Sequence, residues 1–186
     1  NISEEINKNG GHSIFCITDV SIEKNCKDMI QKTVSHFGNI DILINNAGIS
    51  MRSIFKDLNL SVFTRVMEIN FFGAVYCTKY ALPYILKNKG SIVGVSSIAG
   101  YKGLPGRTAY SASKFVLQGF LESLRIENLK KDLHVLIICP GFTKSNIRKK
   151  ALQGDGEEQG KSPRNEKNMM SSEKVAKNMV SAINKR

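Results

Sequence analysis

Two spacings of apolar residues alternate along this chain, short continuous runs and longer stretches with helical period. Residues 2–10 read as the tail of a helix closing on Gly10-Gly11. A run at 13–18 reads as a short strand, and Asp19-Val20-Ser21 as a turn that caps a helix. Ile22, Cys26, Met29, Ile30, Val34 and Phe37 then mark one helical face up to a break at Gly38-Asn39. Residues 41–45 are apolar almost without interruption, the pattern of a parallel strand covered on both faces. A long helical stretch follows over 60–88, with Pro83 placed to kink or restart it. Residues 91–95 and 135–139 read as further strands, and 108–129 as the helix between them. Segment 144–170, rich in Gly, Lys and Glu, reads as a mobile loop with one helical turn. Ser171 or Ser172 then caps a last helix whose inner face carries Val175, Met179, Val180 and Ile183. Such alternation predicts one α/β domain over 1–186, a doubly wound parallel sheet with right-handed crossovers. No internal repeat or domain boundary interrupts it.

Composition changes this picture little. At 186 residues, 41% hydrophobic and 23% charged, the chain can build one sizeable core. No apolar run approaches the ~20 residues needed to span a bilayer, and no secretory signal opens the chain. A cytoplasmic location is expected, with an N-terminal anchor before residue 1 left open. Cys16, Cys26, Cys77 and Cys139 show no C-x-x-C spacing and read as free thiols, Cys16 and Cys139 in buried strands. His12, His36 and His134 lack ligand spacing, so no metal is expected. The net charge of +11 draws +6 from residues 144–186, with eleven Lys/Arg against five Asp/Glu. Glutamates are mixed in and aromatics absent there, which favours a solvated face over a nucleic-acid surface.

The chemistry centres on Tyr110 and Lys114. At i and i+4 on a helix the two side chains leave from one face. A phenol normally titrates near ~10, and a neighbouring ammonium favours its phenolate, making it a usable acid or base. Ser97, thirteen residues upstream, could orient a substrate oxygen. Alone, Y-x-x-x-K is common on helices. Here it stands in an ordered series: Asn45-Asn46-Ala47-Gly48 after one apolar run, Asn70 inside a helical stretch, Ser97 after a second run, and Pro140-Gly141 after a third.

In that order and spacing the chain resembles the short-chain dehydrogenase/reductase family over nearly its whole length. The resemblance implies a Rossmann-like fold and reversible hydride transfer between a nicotinamide cofactor and an alcohol/carbonyl pair. It implies Tyr110 as acid/base, and Lys114 as the residue that lowers its pKa and binds the nicotinamide ribose. Ser97 would hold the substrate oxygen, with Ser96 as the alternative, and Asn70 would disturb its helix and hold a water of a proton relay. Asp19 and Val20 match the pair that meets adenine, and Asn46, Ala47 and Gly48 the stretch beside the adenosine ribose. Asn45 would tie the sheet together. Pro140, Gly141 and Thr143 lie where the family meets the nicotinamide, with Ser145 in place of a usual threonine. NADP is slightly favoured over NAD by the basic chain. Ile98 to Arg107, 49–51 and 144–170 would select the substrate, a lipid, steroid or small carbonyl compound. The helices at 60–88 and 108–129 would pair subunits in a homodimer or homotetramer. A truncated, inactive binding relative and an extended-branch epimerase or dehydratase are the alternatives.

The resemblance also implies a fragment. The family's T-G-x-x-x-G-x-G loop, which carries the cofactor phosphates on a helix N-terminus, is absent. Segment 13–18 would be the family's third strand and 41–45 the fourth, so the first two strands, and the last beyond Arg186, are missing. A protein of these residues alone is expected to fold poorly and to hold the cofactor weakly.

Overall fold

A computed structural model describes residues 2–162 and 165–186. Helix α1 spans Ile2–Lys8 and α2 spans Glu23–Phe37, the latter ended by Gly38 at a left-handed φ of 79°. Strand β1 (Ile42–Asn45), strand β2 (Ser91–Val95) and strand β3 (His134–Ile138) form one parallel sheet in that order. Ile42 pairs with Ser91, and Ser91 with His134. Helices α3 (Leu60–Met67), α4 (Gly73–Lys87) and α5 (Thr108–Glu127) connect the strands, and α6 (Ser172–Lys185) closes the chain. This is the Rossmann-like α/β fold expected from the alternation, reduced to three strands.

The period-two alternation of β2 sends its side chains to two cores. Ile92 joins Ile30, Ile85, Leu117 and Leu121 under α2, α4 and α5. Val93 joins Met179 and Ile183 of α6 on the opposite face. Contact between α5 and β2 is close enough to need glycine at position 94, where a Cβ would lie 2.2 Å from Leu121 Cδ1.

Five expectations are corrected. Residues 13–18 do not form a strand, because a strand is made by its ladder partners and none stands beside them among the described residues. The Ser13 peptide bonds the Asn7 side chain instead, and Ile17 is 97% exposed. Cys16 is therefore only half-buried, as is Cys139, while Cys26 and Cys77 are buried; all four are free. Strand β1 is covered on one face only: α6 lies over β3, leaving Ile42 and Ile44 47% and 44% exposed. The helix at 60–87 runs through Pro83 unbroken, since Lys79, whose carbonyl loses its donor, faces solvent. Val180 is 55% exposed, turned away from the sheet one residue after Met179.

Candidate active site

The irregularity in the long helix falls at Asn70. Between α3 and α4, residues Glu68–Phe72 widen into a single π turn. The turn carries Asn70 inward, where it is 1% exposed. Its Oδ1 accepts the Ile49 N–H at 2.8 Å, and its Nδ2 donates to the Ile49 carbonyl at 2.9 Å and to Ser113 Oγ at 3.0 Å. The loop after β1 is thereby clasped to both the long helix and α5. Gly48 makes this approach possible, because a Cβ there would stand 3.2 Å from Asn70 Oδ1 and 3.6 Å from Lys114 Nζ. Asn45 bonds Thr78 Oγ1 at 3.0 Å and ties the sheet to α4.

Ser97 leaves the end of β2 in extended conformation and caps the short turn Ile98–Gly100, accepting the Ala99 N–H at 3.2 Å. Its hydroxyl faces the phenol closely enough to favour the phenolate of Tyr110. Ser96 points the other way: buried, it donates to the Lys114 carbonyl at 3.3 Å and accepts from Gln118 Nε2 at 2.9 Å. The structure thus selects Ser97 as the partner of Tyr110.

Tyr110 packs against the cluster that includes Met51, Leu58 and Val62, and Lys114 lies one turn on with Nζ 5.8 Å from the phenol centroid. Burial raises the Tyr110 pKa, opposed by the Ser97 hydroxyl and by the charge of Arg107. Burial also lowers Lys114, to about 8, while its Nζ donates to the Val95 carbonyl at 2.8 Å. The phenol lies above its ordinary value rather than below it, because desolvation of the ring outweighs Ser97 and the charge of Arg107.

Asn46, Gly48, Ser97, Tyr110, Lys114, Pro140, Gly141 and Thr143 line one cleft of about 760 Å³, with Ser145 also on its wall. Ala47 is exposed between two of them, and Asn70 stands behind the wall. Asp19 and Val20 are elsewhere. The Asp19 carboxylate accepts the Ser21 hydroxyl at 2.7 Å and backbone N–H at 3.0 Å, contacts that hold it below the usual carboxylate range. Val20 packs on Gly73 at the start of α4, where a Cβ would meet its Cγ2 at 2.9 Å.

Arg107 and Arg148 of the expected substrate segments stand on the cleft wall, and so does Arg52, which sequence reasoning missed. Arg148 corrects the reading of 144–186 as a wholly solvated basic face. It is 8% exposed, ion-paired to Glu166 at 2.9 Å, and donates to the Thr143 carbonyl at 2.7 Å. Within 144–170, Ala151 and Leu152 are buried, and Leu152 packs with Met51 and Val62. No local pattern marks these residues, since long-range contacts alone bury them. Among the described residues, no cluster of His, Cys, Asp or Glu could hold a metal, and no helix is long and apolar enough to cross a membrane.

Comparison with known proteins bears on this geometry. A family model described as short chain dehydrogenase matches residues 1–156. Dehydrogenase/reductase SDR family member 7B of Xenopus laevis is 39% identical over 175 residues, covering 93% of this chain and 53% of that protein. The chain spans about half the length of the curated relatives it matches. An alcohol dehydrogenase from the archaeon Thermococcus sibiricus, complexed with 5-hydroxy-NADP, superposes with a TM-score of 0.86 at 19% identity, a likeness of fold. It covers 98% of this chain and 74% of that one. An NADH-dependent reductase A1-R′ responsible for alginate metabolism superposes with a TM-score of 0.72 at 26% identity, over 78% of this chain and 62% of its own.

Proposed function

The chain belongs to the short-chain dehydrogenase/reductase family, and from that premise we propose that it carries the catalytic face of an oxidoreductase interconverting an alcohol and a carbonyl. The observation that carries this reading is that Ser97, Tyr110 and, one turn on, Lys114 stand together on the wall of one cleft. The two hydroxyls open on the same cleft. There Ser97 holds and polarises a substrate oxygen, while Tyr110 gives that oxygen a proton during reduction and takes one during oxidation. Lys114, whose Nζ loses its proton near pH 8, sits where it can return the proton to Tyr110. Asn70 keeps the loop after β1 in place beside Lys114 and, through Ser113, braces α5.

The same wall suits a nicotinamide dinucleotide. Gly48 leaves space for close approach, Asn46 and Thr143 offer polar groups, and Lys114 offers ribose-binding hydrogen bonds. Bound there, the cofactor supplies or accepts the hydride. Among the described residues, the ionisable side chains on the wall besides Tyr110 are cationic, namely Arg52, Arg107, Lys114 and Arg148. With a chain charge of +11, this supports NADP ahead of NAD. Ile98, Leu104, Phe142, Ile147 and Met179 give the cleft an apolar side, which suits a lipid, steroid or small carbonyl substrate.

The test is Tyr110→Phe in the full-length protein, assayed by reduction of 9,10-phenanthrenequinone with NADPH. Loss of the acid/base lowers kcat by roughly 10²–10⁴-fold with cofactor affinity retained. Turnover within a few-fold of the unmodified protein sinks the assignment.

A further inference from the structure

Arg107 stands at the head of α5, one turn before Tyr110, and the reaction above gives it no part. Its Nη1 donates to Ser50 Oγ at 2.8 Å and to the Met51 carbonyl at 2.6 Å. Next to them the Ser53 N–H donates to the Gly106 carbonyl at 3.2 Å. On its far side the same loop carries the substrate-side segment: the Arg52 N–H donates to the Leu152 carbonyl at 2.7 Å, and the Leu152 N–H to the Ser50 carbonyl at 2.9 Å. Residues 50–53 are therefore a hub, held to the catalytic helix by Arg107 and bearing Leu152 on the other edge. Met51, at its centre, is fully buried and packs in the cluster that receives the Tyr110 ring.

We propose that Arg107 is a positioning residue of this site, locking the 50–53 hub, and with it the substrate-side segment, in register with the Tyr110 hydroxyl. The proposal rests on Tyr110 being the acid/base. One guanidinium nitrogen bonding two acceptors on adjacent residues fixes both the distance and the rotation of the hub, which an ammonium on a flexible stem does less well.

The position gives Arg107 a second effect. The charged and titratable groups around the phenol are Arg107 and Lys114 on α5, Arg52 on the hub and Arg148 across the cleft; among the described residues no carboxylate lines the wall. The charge of Arg107 favours the phenolate against burial. Lys114 sheds its proton near 8, whereas a guanidinium keeps its own throughout the alkaline range. Above that pH, Arg107 is the cation of α5 that still acts on Tyr110.

Two readouts in the full-length protein test this. The first titrates the Tyr110 phenolate by ultraviolet absorbance, as the difference between the protein and its Tyr110→Phe variant, and needs no turnover. The second is KM for 9,10-phenanthrenequinone with NADPH. Arg107→Met raises the phenolate midpoint by about half a unit or more and raises KM. Arg107→Lys restores the midpoint but not KM, because it returns the charge without the two-acceptor geometry. Ser50→Ala leaves the midpoint in place and raises KM roughly tenfold, about the loss of one hydrogen bond from a charged donor. Should Arg107→Met not fold, Arg107→Lys and Ser50→Ala still decide the matter. An unmoved midpoint in Arg107→Met, or unmoved KM in Ser50→Ala and Arg107→Lys, overturns the proposal. Activity surviving in Tyr110→Phe overturns the acid/base assignment instead, and the phenolate titration still reads the effect of Arg107.

Discussion

Replacing Asn70 by Leu removes a buried amide while keeping most of its volume, and its cost follows from the bonds lost. Three hydrogen bonds of 2.8, 2.9 and 3.0 Å disappear together. Ser113 keeps its bond to the Tyr110 carbonyl at 2.8 Å, so its hydroxyl is not stranded. The Ile49 N–H and C=O lose their partner in Asn70, and a stranded buried group costs about 1–3 kcal/mol. Ile49 is half-buried, which places each near the lower end, for a total of ~2 kcal/mol. A domain of this size loses about 2–4 °C of Tm per kcal/mol, so Asn70→Leu should melt roughly 4–8 °C lower. Ser113→Ala removes two bonds, the one from Asn70 Nδ2 and the one to the Tyr110 carbonyl, but leaves the Ile49 peptide paired, and should lose only about 1 kcal/mol. Thermal unfolding followed by circular dichroism distinguishes the two. If Asn70→Leu melts with the parent, the π turn does not owe its place to the clasp on Ile49, and the derivation fails.

Two further outcomes concern stability. The Lys114 pKa is about 8 when folded against an ordinary 10.5, so between those pH values the native state binds fewer protons than the unfolded chain. Native stability therefore rises with pH across this window, by an amount on the order of 3 kcal/mol. Lys114→Met should flatten that rise in denaturant titrations at stepped pH, and an equal slope in both proteins contradicts it. Gly94→Ala should cost about 1–3 kcal/mol by forcing a Cβ onto Leu121. Combined with Leu121→Ala it should cost less than the sum of the two single changes; strict additivity in the double-mutant cycle refutes the close approach.

Much of the site was legible in the order of residues because its chemistry is local. Tyr110 and Lys114 share a helix face by period alone, and Ser97 and Pro140-Gly141 follow apolar runs whose ends the sheet aligns. Strands β1, β2 and β3 were legible for the same reason, each a short apolar run bounded by polar turns. The segment at 13–18 carried the same local signal and formed no strand, because pairing is a property of two segments and no described strand stands beside it.

The sequence by itself determined the alternation of elements, the helical spacing of Tyr110 and Lys114, and the serine and asparagine types placed around them. Only the tertiary structure decided which serine meets the phenol, where the long helix widens, and which arginines face the cleft. It also decided the balance of charge: burial lifts the pKa of Tyr110 and lowers that of Lys114, against the order that spacing alone implied. Desolvation depends on everything packed around a group, whereas spacing reports only what shares its helix.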